Sequence, residues 1–172
     1  MRTRTARATL LAAVLLTGAA CAGAVVEDAS LLELLPPSVD GMAVTVEGLA
    51  FTEAAAYPDF AANVAAAVFP IVGGGTDLAS GVVAELRDGV FDEGFFRDWR
   101  DSYDEGACAQ AGGAAGRAEV QLGGRTVFIT SCAESLKVYH AHLAEAGRDL
   151  VVSLFSWGEN RYGEQLMAGI NP

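Results

Sequence analysis

The chain has 172 residues, 52% hydrophobic and 19% charged, with 22 acidic side chains against 11 basic ones. Its length suits a single hydrophobic core rather than two domains. Its net charge of −11 sets it against nucleic acid and anionic headgroups, so no nucleic-acid partner is expected.

Arg2, Arg4 and Arg7 precede an apolar run from Leu10 to Leu16, and small residues follow at Thr17 to Ala20 before Cys21. This is the layout of a signal peptide over residues 1–20, and its apolar run is too short to span a bilayer, which takes about 20 residues. The segment Leu16-Thr17-Gly18-Ala19-Ala20-Cys21 resembles the lipobox of bacterial lipoproteins, with Gly18 where leucine is usual. The resemblance implies that Cys21 receives diacylglycerol, becomes the new N-terminus and anchors the chain to the outer side of the membrane it has crossed. The Ala- and Gly-rich composition looks like that of an exported actinobacterial protein. Ordinary secretory cleavage is the alternative: Ala20-Cys21-Ala22 and Ala22-Gly23-Ala24 both fit the small-x-small rule and would release a soluble protein without Cys21. Without the leader, eight basic residues face 22 acidic ones, a charge of about −14.

Residues 21–30 are mostly small or acidic and read as a tether, with a single domain over residues 31–172. Leu31, Leu32, Leu34 and Leu35 form a helical turn stopped by Pro36 and Pro37, and Met42 to Gly48 alternates like a strand. Pro58 opens a helix in which Phe60, Val64, Ala67 and Val68 keep the helical period up to Pro70. Gly73-Gly74-Gly75 lacks the following Lys-Ser/Thr of a phosphate loop and reads as a flexible loop. Gly81 to Arg87 is a strand with Val82, Ala84 and Leu86 inward. An amphipathic helix over 92–105 places Phe95, Phe96, Trp99 and Tyr103 on one side and Asp98, Asp101, Asp104 and Glu105 on the other, with Arg97–Asp101 and Arg100–Asp104 as i, i+4 pairs. The aromatic stripe packs on a sheet or, alternatively, lines a ligand pocket.

Arg117 to Leu122 and Arg125 to Ser131 form a hairpin around Gly123-Gly124, with Val120 opposite Val127 and Ala118 opposite Ile129. A second hairpin joins Leu136 to Leu143 with Asp149 to Trp157, turning at residues 144–148. A closing helix buries Tyr162, Leu166, Met167 and Ile170. The expected fold is α+β: an antiparallel sheet of five or six strands with helices on one face, an element order similar to that of the helix-backed sheets of PsbP-like domains.

Cys108 and Cys132 are expected to form a disulfide outside the cytoplasm. A catalytic thiol is the alternative, with His140 or His142 as base, though no CxxC spacing is present. His140 and His142 lie i, i+2 on one strand face, where two imidazoles can share zinc or copper if a third ligand is supplied from elsewhere. The acidic run lacks the pattern of a calcium-binding EF-hand loop, and neither a GxSxG elbow nor an HExxH helix is present. No cofactor is expected. The expectation is an exported, lipid-anchored envelope protein with a non-catalytic binding role, its partner an envelope protein or small ligand bound through the sheet face and loops not covered by helices. The alternative is a metal-binding protein or metal-dependent enzyme using His140 and His142.

Overall fold

The computed structural model describes residues 23–133 and 135–171; the expected signal peptide over residues 1–20 and Cys21 lie outside the described residues. In chain order the elements are β1 (Val26–Glu27), a 3-10 helix (Ala29–Leu34), β2 (Ser38–Val39), β3 (Met42–Ala43), β4 (Thr45–Val46), α1 (Gly48–Ala55) and α2 (Pro58–Asn63). The chain continues with β5 (Val64–Val68), β6 (Pro70–Gly74), β7 (Asp77–Leu86), α3 (Glu93–Gln110), β8 (Ala114–Leu122), β9 (Arg125–Cys132), β10 (Lys137–Glu145), β11 (Arg148–Trp157) and α4 (Tyr162–Ala168).

The domain is α+β, but its sheet is larger than five or six strands. Nine strands join among the described residues, in the order β1-β5-β7-β11-β10-β9-β8 with β6 and β4 branching from β7. The sheet is mixed, because β1 runs parallel to β5 while the other pairs are antiparallel. Regular structure therefore begins at Val26, ahead of the Leu31 start read from the sequence.

Both sheet faces are covered, so the expectation of helices on one face is corrected as well. One face packs Val83, Val127, Tyr139, Ala141, Val152 and Leu154 under the 3-10 helix and α4, whose Leu31, Leu166 and Met167 are buried. The other face, with Val82, Ala84, Val151, Val138 and Leu136, lies under the α1–α2 pair and α3. β7 and β11 are consequently buried on both sides. This is why Val82, Val83 and Ala84 are consecutive apolar residues rather than alternating with polar ones.

The first half of the chain departs furthest from its sequence reading. The helix expected from Pro58 ends at Asn63, and Val64 to Val68 is a strand between β1 and β7. Gly73 and Gly74 lie in β6, paired with β7, rather than in a loop. The second half follows the sequence closely. Leu122 pairs with Arg125, Val120 with Val127 and Ala118 with Ile129. Gly123 and Gly124 take φ of 56° and 79°, the positive values a tight hairpin turn demands. The β10–β11 turn is tighter than expected, since Glu145 pairs with Arg148 across Ala146 and Gly147 alone.

Asp92 caps α3 by accepting a hydrogen bond from the Phe95 N–H at 2.6 Å. The helix ends where Gly113, at φ 102°, returns its N–H to the Cys108 carbonyl at 2.7 Å. Its last full turn carries Cys108, which is disulfide-bonded to Cys132 at the end of β9, with Cα atoms 5.1 Å apart. The loop this closes corresponds to about 3 to 4 kcal/mol in the chain-entropy model. α3 is thus capped locally at its start and cross-linked to the sheet at its end.

Candidate functional site

α3 crosses one face of the sheet as a ridge, and its side chains sort onto a buried underside and two open flanks. On the underside, Trp99 donates its indole N–H to the Ser153 hydroxyl at 2.9 Å, and Ser153 lies 2.8 Å from His140 Nδ1. His140 Nε2 is 3.0 Å from Asp104 Oδ1, while Asp104 Oδ2 accepts from Thr130 at 2.5 Å. His140, Ser153, Asp104 and Thr130 are all buried.

The proton positions follow from the partners. An ionised Asp104 can only accept, so His140 Nε2 carries the hydrogen and Nδ1 accepts from the Ser153 hydroxyl, whose oxygen accepts from Trp99. Every polar atom in the chain is then satisfied with a neutral imidazole. Burial holds His140 below its ordinary value of 6.5, and this outweighs the opposing bond and charge of Asp104. Burial would raise the Asp104 carboxyl, but the bonds from His140 and Thr130, with the charges of His140 and Arg117, bring it below its ordinary 3.8.

Ser153, His140 and Asp104 share the composition of a hydrolytic triad, but Ser153 has no exposed surface and its hydroxyl is committed to Trp99 and His140. The chain joins α3 to β9, β10 and β11 and presents no nucleophile.

His142 makes a separate contact. Its Nε2 lies 2.9 Å from Asp149 Oδ1 and its ring stacks on Phe91 at a centroid distance of 3.6 Å. The two histidines do share a strand face, but each Nε2 is taken by a different carboxylate. Among the described residues no three His, Cys, Asp or Glu side chains gather where they could hold a metal ion.

On the flank toward β5 and β7, α3 and the α1–α2 pair enclose a cleft of about 940 Å³. Phe69 and Val82 form its floor, and Phe60, Phe95, Trp99 and Tyr103 are among its walls. The ring centroids of Phe60 and Phe95 lie 6.1 and 6.0 Å from that of Trp99. Its charged lining is wholly acidic, from Glu53, Asp59 and Asp98, and Tyr57 at its edge is 68% exposed.

On the flank toward β8 and β9 lies a smaller pocket of about 340 Å³, where Arg97, Arg100 and Arg117 gather above His140 and Thr130. The expected Arg97–Asp101 and Arg100–Asp104 pairs do not close. Asp101 instead meets Arg117 across the gap to β8 at 3.0 Å, and Asp104 lies 3.7 Å from the same guanidinium.

Of the residues singled out in the sequence, Cys108 and Cys132 are brought together, and Phe95, Trp99 and Tyr103 line the cleft. Phe96 turns under the helix to meet Phe128 edge-on at 5.8 Å. Asp104, placed on the solvent side by its charge, is only 4% exposed. Its spacing could have found it, since it lies one turn before Cys108, which must face the sheet to reach Cys132. Ser153 carries no such signal.

Comparison with models of known families, with curated proteins and with solved structures finds no match to this chain. Among the described residues no helix is long and apolar enough to cross a membrane.

Proposed function

We propose that the protein is an exported, lipid-anchored binding protein of the cell envelope, and that its ligand is an apolar molecule with a cationic or neutral head, held in the cleft between α1–α2 and α3. The observation that carries this reading is the cleft itself: aromatic walls, an apolar floor, and three carboxylates with no basic side chain in its lining. Its volume lies within the range of small-molecule sites, and aromatic faces attract both hydrocarbon and cations. A cation about 4 Å from one rim carboxylate gains roughly 1 kcal/mol in water and about 4 kcal/mol where solvent is partly excluded. An anionic head of the same size is repelled by a comparable amount. The sheet face itself is not the binding surface of this proposal, since helices cover both faces.

Anchoring supplies the location. The lipobox-like segment ends at Cys21, two residues before Gly23, whose carbonyl accepts from Arg87. The same guanidinium holds the Ala61 carbonyl of α2 at 3.1 Å, so the chain enters the domain beside the helix that forms one wall of the cleft. A lipid on Cys21 therefore brings the cleft to the membrane surface.

Two measurements test the reading. Palmitate labelling of the full chain is expected to vanish in Cys21→Ser; labelling that persists, or is absent from the wild type, removes the anchor. Calorimetric titration of the mature domain below micelle concentrations is expected to show one site for decyltrimethylammonium, about tenfold tighter than for decyl sulfate. Equal binding of the two, or binding unchanged in Trp99→Ala, removes the cleft reading.

A further inference from the structure

The pocket on the opposite flank of α3 is independent of the cleft and has the reverse chemistry. A mature chain with eight basic residues against 22 acidic ones places three of the eight, Arg97, Arg100 and Arg117, around 340 Å³ of space. In so acidic a protein, surface cations are expected to find carboxylates readily. Arg117 does so, through Asp101 and Asp104. Arg97 and Arg100 have no carboxylate within 4 Å among the described residues, although Asp101 and Asp104 lie four positions further along the same helix.

Arg100 is also held in place. Its guanidinium carbon lies 3.7 Å from the Phe128 ring centroid and 4.9 Å from that of Phe96, a pair of cation–π contacts that restrains the side chain. Its Nε is buried without a hydrogen-bond partner. A rigid guanidinium with an unsatisfied donor is costly unless something accepts from it. The carboxylates lining the pocket do not fill that role. Asp104 is committed to His140 and Thr130 and Asp101 to Arg117, which leaves Glu119 as the one lining acid without an ion pair among the described residues.

We infer that this pocket is a binding site for a compact oxyanion, a phosphate or carboxylate group, received between the forks of Arg97 and Arg100 with Arg117 closing the β8 side. Arg97 and Arg100 stand at i, i+3 on α3 and so flank one another. Planar guanidinium forks match two oxygens of such a group, where an ammonium would offer only a point charge. The site needs no metal and leaves the buried His140–Asp104 pair undisturbed beneath it.

The test uses the mature, disulfide-intact domain and inorganic phosphate, with acetate as a second arm and chloride at matched ionic strength as the control. Amide chemical shifts are expected to show saturable 1:1 binding of phosphate, acetate or both, mapped to Arg97, Arg100, Arg117 and their neighbours. Binding by one arm only assigns the group. Arg97→Ala, at an exposed position, is expected to weaken binding about tenfold without altering the fold. Arg100→Lys keeps the charge but loses the fork and is expected to bind more weakly than wild type, while Glu119→Gln binds more tightly. Shifts that chloride reproduces, or that are unchanged in both arginine variants, overturn the proposal.

Discussion

On one flank of α3, Phe95, Trp99 and Tyr103 face a cleft whose charges are all acidic. On the other flank of the same helix, Arg97 and Arg100 face a pocket in which Asp101 and Asp104 are already paired and Glu119 is the one lining acid without an ion pair among the described residues. The sheet beneath differs in the same sense. Phe69 and Val82 make the cleft floor apolar, whereas Thr130 and His140 carry the polar chain that ends under the arginines. One amphipathic helix thereby separates two environments of opposite preference within a strongly acidic domain. Net charge alone would describe neither.

The sharpest contrast is between acids. Asp104, buried under the arginine flank, is expected to be structural, and Asp98, exposed on the cleft rim, is expected to act on the ligand alone. Asp104→Ala strands the His140 N–H and the Thr130 hydroxyl and is expected to cost about 3 to 5 kcal/mol in urea unfolding. Asp98→Ala is expected to stay within about 0.5 kcal/mol of wild type while weakening cationic amphiphile binding. Equal stability of the two variants would break the contrast.

Replacing Cys108 and Cys132 together by serine is expected to cost about 3 to 4 kcal/mol by thermal or urea unfolding. Because the bridge ties the end of α3 to β9, both flanks should loosen together, and weaker binding on one side only would show that α3 does not hold the two sites jointly.

Acid acts more gradually. The folded state holds His140 below 6.5, so its contribution is fully present above that pH and is lost as pH falls, while the unfolded chain takes up the proton first. Asp104, held below 3.8, adds a further loss in stronger acid. Unfolding free energies measured from pH 7.5 to 5 should fall by no more than about 1.4 kcal/mol per pH unit for this one group. His140→Gln should flatten that slope, and an unchanged slope would remove His140 as its source.

The two halves of the chain were unequally legible in the sequence. The β8–β9 hairpin could be read to its register because Gly123-Gly124 fixes the turn and the flanking residues alternate. Val64 to Val68 could not, because a strand buried on both faces has a continuous apolar run, which the spacing of Phe60, Val64, Ala67 and Val68 imitates at the helical period. Reading that strand as helix extends α2 beyond Asn63, while α1 at Gly48–Ala55 has no counterpart in the sequence reading, so this wall of the cleft is not legible there. The aromatic stripe of α3 was visible, but its reading as core was only partly right: Phe96 is buried, whereas Trp99 and Tyr103 border open space. The His140–Ser153 contact crosses from β10 to β11 through strand register alone, which no local pattern encodes.

The division of labour across α3 is tested most directly by adding two probes to one isotope-labelled sample of the mature domain, decyltrimethylammonium and inorganic phosphate, separately and then together. The account expects the amphiphile to shift amides of α1, α2 and the Trp99 flank of α3, phosphate to shift those around Arg97, Arg100 and Arg117, and each to bind in the presence of the other. Competition for one set of residues, or an amphiphile that maps to the arginine flank, would contradict it.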